Sequence, residues 1–143
     1  MLKEVIEGLD IKKDGIYVDC TIGGAGHSLE IVKRLKNGKL YGFDRDSEAI
    51  ETSRKRLKDY ADKVVLTKMN YKDAPSFLKE NGIEKIDGVL IDLGISSYQI
   101  DEGKRGFSFL HNGRLDMRMG QDEDTLTAFD IVNFYSEEKL IDI

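Results

Sequence analysis

Apolar positions along the chain alternate between helical spacing and short unbroken runs. Leu2, Val5, Ile6 and Leu9 fall on one helix face, and Gly8 and Asp10 close that segment. Ile16-Tyr17-Val18-Asp19-Cys20-Thr21 is rich in β-branched and aromatic side chains and lies between Asp14-Gly15 and Gly23-Gly24, the marks of a buried strand. Leu29, Val32 and Leu35 predict a helix over 28–35, ended by Asn37-Gly38. A strand at 39–44 follows, then a helix capped by Asp46 or Ser47 that runs through Ala49, Ile50, Ser53 and Leu57. Val64-Val65-Leu66 is a third strand, 74–81 a helix with Pro75 in its first turn, and 88–93 a fourth strand. Such alternation over short connections implies right-handed crossovers. The fold class is therefore α/β, a doubly wound parallel sheet with helices on both faces.

Beyond Leu93 the period is lost. Gly94, Gly103, Gly106, Gly113 and Gly120 interrupt a stretch expected to form loops or short helical turns. Thr127-Ala128-Phe129-Asp130 has capping-box spacing, Ile131, Val132 and Tyr135 continue at helical intervals, and Ser136 is placed to cap a further helix.

Composition narrows the class without assigning a task. The 143 residues suit one domain or part of one. The single Cys20 excludes a disulfide and a thiolate metal cage, and it reads as a small buried hydrophobe. No metal site is expected, since His27 and His111 are the only histidines. A net charge of −5 argues against a general polyanion binder, so any nucleic-acid contact must be local. No apolar run approaches a membrane span and the N-terminus has no signal-peptide layout, which places the protein in the cytoplasm, away from membranes.

Candidate chemistry gathers at the carboxyl ends of the strands, where open α/β sheets bind ligands. The loop holding Gly23, Gly24, Ala25 and Gly26 lets a ligand approach the backbone, although such a cluster also serves a tight turn. Asp44 ends the second strand, where an acid accepts hydrogen bonds from ribose hydroxyls. Asp19, expected to face the same crevice, would repel a pyrophosphate and suit the ammonium and sulfonium of S-adenosylmethionine. On the loop alone a nicotinamide dinucleotide stays open. Asp92 closes the fourth strand, either toward cofactor and target or as a loop cap. Tyr71 is suited to lie beside an adenine and equally to be a core aromatic.

Several segments together resemble one family. They are Asp19-Cys20-Thr21-Ile22-Gly23-Gly24-Ala25-Gly26-His27-Ser28, Phe43-Asp44-Arg45-Asp46, and Asp92-Leu93-Gly94-Ile95-Ser96-Ser97. Arg105-Gly106-Phe107-Ser108-Phe109 and Leu115-Asp116-Met117-Arg118-Met119 complete the set. The chain is similar to the ribosomal RNA small-subunit methyltransferase H (MraW) family, which methylates N4 of a cytidine in the decoding region of 16S rRNA. The resemblance implies a class I, Rossmann-like methyltransferase fold with a helical segment inserted after the fourth strand. It also implies that Ala25, Gly26, His27, Asp44, Tyr71, Asp92 and Gln99 contact S-adenosylmethionine. Family members often have Phe where Tyr71 stands, and commonly Pro where Tyr98 stands.

Relatives are longer, so the chain reads as a fragment with an incomplete sheet. Residues 1–100 would be the first half of the cofactor domain and 101–143 the start of the inserted recognition segment. An unpaired fourth-strand edge predicts a homodimer. The amino nitrogen of cytosine is a weak nucleophile, so Asp92 is expected to accept a hydrogen bond from it while Ser96 or Ser97 orients the base. Lys104, Arg105, Arg114 and Arg118, with Phe107 and Phe109 among them, are expected to receive an extruded nucleotide of 16S rRNA in the small subunit. The bland alternative has the phenylalanines anchoring the loop and the charges solvated. A non-catalytic fragment that only binds cofactor is the alternative for the whole chain.

Overall fold

The computed structural model describes residues 1–121 and 125–143. They group into two compact units, Met1–Leu93 and Gly94–Ile143. The first unit runs α1 (Leu2–Gly8), β1 (Ile16–Asp19), α2 (Gly26–Val32), β2 (Lys39–Asp44), α3 (Ser47–Arg56), β3 (Val64–Lys68), α4 (Ala74–Glu80) and β4 (Gly88–Leu90). Short 3-10 segments at Lys58–Lys63 and Tyr71–Asp73 precede β3 and α4. The sheet order is β3-β2-β1-β4, with every pair parallel. The chain winds outward from β1 to β3 and returns to β4 on the other side, so the order reverses at β1. In a doubly wound sheet that reversal opens a ligand crevice beyond the strand ends.

Strand alternation sorts the core onto two faces. Tyr17 and Leu40 pack with Ile6, Ile31, Val32 and Leu57, the side covered by α1, α2 and α3. Val18, Tyr41 and Phe43 point the other way and meet Ala74 and Leu78 of α4. Phe43 stands edge-on to Phe77, ring centroids 5.4 Å apart. Gly38 is required by a close approach, since a Cβ there would lie 2.3 Å from the Gly15 carbonyl oxygen.

The second helix and the fourth strand differ most from the sequence reading. The second helix begins at Gly26 and ends at Val32. Ala25 caps it in the left-handed region, and the next turn tightens through the Arg34 and Leu35 amides to the Ile31 and Val32 carbonyls. The fourth strand is also shorter and less buried than its apolar run suggests. It pairs only with β1, and Val89, Ile91 and Leu93 are 48%, 49% and 71% exposed. An apolar run records a capacity for burial, which here is met on one edge.

The second unit contains α5 (Ser97–Asp101), a 3-10 turn at Gly103–Arg105, α6 (Ala128–Phe134) and α7 (Glu137–Ile141). The expected Thr127 and Asp130 capping box opens α6, and Ser136 caps α7 by accepting from the Lys139 amide. A second capping box, Ser96 with Gln99, opens α5. No helix among the described residues is long and apolar enough to cross a membrane.

Candidate functional site

The carboxyl ends of β1 and β2 hold the first unit's polar network. Asp44 accepts from the Gly23 amide through Oδ2 (2.9 Å) and from the Asp46 amide through Oδ1 (3.0 Å). Each oxygen keeps a second lone pair, so the carboxylate is fixed in place and still able to accept. Asp46 caps α3 by accepting from the Glu48 amide at 3.0 Å. The glycine loop thus departs from β1 under the control of an acid at the end of β2. Gly23 and Ala25 both have positive φ, 49° and 57°, which allows the chain to turn sharply into α2.

Asp19 sits differently from the sequence expectation. It is 2% exposed, accepting from Ser28 Oγ at 2.6 Å and from the Thr21 amide at 3.1 Å. Burial pushes its carboxyl above the ordinary value of 3.8, with the Ser28 hydroxyl opposing. Its oxygens hold the loop and the start of α2, so it shapes the crevice wall instead of lining open space. Cys20 is buried and free, with burial pushing its thiol up.

His27, in the first turn of α2, has a buried Nε2 with no hydrogen-bond partner. A buried polar atom left without a partner is costly, and His27 Nε2 is such an atom at the start of α2. Asp92 lies past the end of β4 with its side chain exposed, and its backbone amide donates to Thr21 Oγ1 at 2.8 Å. Thr21 therefore ties the loop after β4 to the loop after β1. Tyr71 is 40% exposed at the start of the 3-10 turn after β3, which favours an available ring over a core aromatic. Asp19, Gly23, Ala25, Gly26, His27, Asp44 and Asp92 come together around the ends of β1, β2 and β4.

Sequence reasoning missed the residues that set this loop from behind. Ser53 Oγ donates to the Gly23 carbonyl at 2.8 Å, and the Arg56 guanidinium donates to the Gly24 carbonyl. Ser53 was legible only as a position on the inward face of a helix, and a small hydroxyl on such a face is the available signal.

The second unit's candidates divide into committed and exposed groups. Gln99 is 6% exposed; its Oε1 accepts from the Ser96 amide at 2.9 Å and its Nε2 donates to Met119 Sδ at 3.5 Å. Ser96 Oγ accepts from the Gln99 amide at 3.2 Å. Ser97 begins α5. Arg105 corrects an expectation: it is 1% exposed, and its guanidinium donates to the Met119 and Arg118 carbonyls at 2.7 and 3.3 Å. A buried cation serving the carbonyls of half-buried residues organises the glycine-rich segment and is not displayed at a surface. Arg118 grips Asp116 with two bonds, Nε to Oδ1 at 2.9 Å and Nη2 to Oδ2 at 2.8 Å, which lowers the Asp116 pKa. Lys104, Arg114 and Phe109 are exposed, and Phe107 is half-buried. No group of three metal-ligating side chains lies together among the described residues.

A parallel sheet whose order reverses at β1, with a glycine loop bonded to an acid ending β2, is a doubly wound, Rossmann-like arrangement, the one that class I methyltransferases share. Solved structures agree in fold. An rRNA methylase from Streptococcus thermophilus superposes with a TM-score of 0.55 at 21% identity, over 64% of this chain and 53% of that one. The C-terminal domain of precorrin-6Y C5,15-methyltransferase from Rhodobacter capsulatus gives 0.55 at 18% identity, over 68% and 50%. The model of the MraW methylase family matches residues 1–143, and the chain belongs to that family. It is 53% identical over 140 residues to ribosomal RNA small subunit methyltransferase H of Finegoldia magna, covering 98% of this chain and 45% of that protein. The same-named protein of Oceanobacillus iheyensis is 52% identical over 142 residues, covering 99% and 43%. The chain thus spans a little under half the length of these relatives.

Proposed function

We propose that the protein takes part in methylating the N4 amino group of a cytidine in 16S rRNA of the small ribosomal subunit, in the cytoplasm, using S-adenosylmethionine. One observation carries the cofactor reading: Asp44, fixed by the Gly23 and Asp46 amides, still has a free lone pair on each oxygen beside a glycine turn. The partnerless Nε2 of His27 is the test of fit, because a polar ligand there removes the cost of leaving it unpaired. S-adenosylmethionine supplies, when bound, an electrophilic methyl group on a sulfonium. Asp44 would accept from the ribose hydroxyls, the loop at Gly23, Ala25 and Gly26 would allow close backbone approach, and Tyr71 would lie along the adenine.

The protein's part in the chemistry is to orient a weak nucleophile and take up its proton. Asp92, held at its backbone by Thr21 and exposed at its carboxylate, would accept a hydrogen bond from the cytosine amine. Ser96 and Ser97 would orient the base, with the Ser96 hydroxyl hydrogen still available after its oxygen caps α5. A base reached at its edge must leave the stack, and Phe107 and Phe109 offer it faces while Lys104 and Arg114 meet phosphates. The open edge of β4 also favours pairing with a second copy; a monomer in sedimentation at high concentration would dismiss that part.

Calorimetry with S-adenosylmethionine, with NADH as competitor, tests the cofactor reading. Binding of S-adenosylmethionine alone is expected, and Asp44→Ala should weaken it by about tenfold or more, the worth of a hydrogen bond to a charged group. Preference for NADH would overturn it. A tritiated methyl-transfer assay on small subunits separates an active protein from one that only binds cofactor.

A further inference from the structure

The geometry points to Ser53 and Arg56 of α3 as positioning residues that hold the cofactor loop by its carbonyls; the inference rests on the cofactor reading above. Three backbone groups on the loop are tied from outside it. The Gly23 amide donates to Asp44 Oδ2 at 2.9 Å, the Gly23 carbonyl accepts from Ser53 Oγ at 2.8 Å, and the Gly24 carbonyl accepts from the Arg56 guanidinium. Ser53 is 0% exposed, while Arg56 is exposed in the last turn of α3. Three residues apart, they lie on one helix face.

Across a planar trans peptide the carbonyl and the following amide point in opposite directions. Turning the Gly23 carbonyl toward α3 therefore turns the Gly24 amide away from α3, where it has no acceptor among the described residues. Glycine cannot hold that orientation by itself, because it visits positive and negative φ with nearly equal ease. The Arg56 Nη1 also lies only 3.7 and 3.9 Å from where Cβ atoms at Gly24 and Gly26 would stand, so the guanidinium spans the turn. The loop's shape is thus set by the neighbouring βα unit as well as by its own glycines. S-adenosylmethionine would meet a turn whose amide direction is already fixed, which lowers the ordering cost of binding.

Two substitutions separate the two ties. Arg56→Met releases Gly24 and leaves Gly23 bonded to Asp44 and Ser53; Arg56 is exposed, so the fold is preserved. Ser53→Ala releases the Gly23 carbonyl. Hydrogen exchange should quicken about tenfold at the Gly23 and Ala25 amides, which donate to Asp44 and to the Ile22 carbonyl, in each variant and stay unchanged in β2 and β3, the size expected for one lost hydrogen bond. In calorimetry, Arg56→Met should weaken S-adenosylmethionine several-fold and leave adenosine, which needs only the ribose acid, at its wild-type affinity. Arg56→Lys should restore part of the loss. Unchanged loop exchange in both variants overturns the inference, as does equal weakening of adenosine and S-adenosylmethionine by Arg56→Met. If the wild-type protein binds neither ligand, the cofactor reading fails, and exchange alone decides whether α3 holds the loop.

Discussion

The two units of the chain are held together by different physics. In Met1–Leu93 the fold rests on strand alternation, with Tyr17, Leu40 and Phe43 all within 1% of complete burial. In Gly94–Ile143 the largest buried side chain is a charged one, Arg105, while Phe109, Leu110 and Phe134 are left exposed. Its order comes from capping boxes, a two-point arginine–aspartate pair and carbonyls gathered on a guanidinium. Hydrophobic burial is non-directional and tolerates small shifts, whereas a polar scaffold depends on the direction of each bond. The first unit should therefore lose stability in proportion to volume removed, and the second should fail at single polar positions.

The largest effect is expected in the first unit. Phe43→Ala removes a fully buried ring stacked edge-on against Phe77 and should cost about 3–5 kcal/mol in urea unfolding. A loss under about 1 kcal/mol would mean that the sheet core is not what holds this unit. Next comes the second unit's counterpart. Arg105→Met keeps the length of the side chain and removes the donors that serve Met119 and Arg118, and it should cost about 1.5–3 kcal/mol. Exchange of the Met117 amide, which donates to the Arg105 carbonyl at 3.0 Å, is the local reporter. If Met117 stays protected, the polar-scaffold description of this unit is wrong. Lys104→Ala with Arg114→Ala is a smaller perturbation of the same unit: on the RNA-binding reading proposed above, each exposed cation removed should flatten the salt dependence of binding by a slope of about one.

What could be read in the sequence follows the same division. The four strands, their helices and the cap at Asp46 were legible because burial leaves a period in the chain, two for strands and 3.6 for helices. The meeting of the acid ending β2 with the glycine turn was legible because a doubly wound sheet brings the carboxyl ends of β1 and β2 side by side. Arg105 was misread because sequence shows a charge and not its depth; the Met119 and Arg118 carbonyls accept from its guanidinium and the Asp116 carboxylate lies within its field, which helps make its burial tolerable. Asp19 was read as facing the crevice for a similar reason: its partner Ser28 lies nine residues away, on the first turn of the next helix. The extent of β4 was overstated because an apolar run carries no count of the strands beside it.

Asp19 gives the smallest and most discriminating test, since it is a charged group inside the apolar unit. Burial raises its pKa in the folded state above 3.8, more than the bonds from Ser28 and Thr21 lower it. Below the ordinary carboxylate range both folded and unfolded states carry the proton, and its contribution to stability is complete. As pH rises, the unfolded chain gives up this proton first, so the folded state loses that contribution until pH passes the raised pKa. Other acids, such as Asp87 beside Lys12 and Asp116 beside Arg118, are lowered and act in the opposite direction, so the raw stability curve mixes signs. Asp19→Asn removes only the one titration. The stability of the wild type minus that of Asp19→Asn, measured by urea unfolding at each pH, should fall as pH rises from about 3.8 and then level off. The height of the fall, divided by about 1.4 kcal/mol, gives the displacement of the pKa in pH units. A difference that grows with pH would mean that the hydrogen bonds outweigh burial, and that the wall of the crevice carries a stable negative charge.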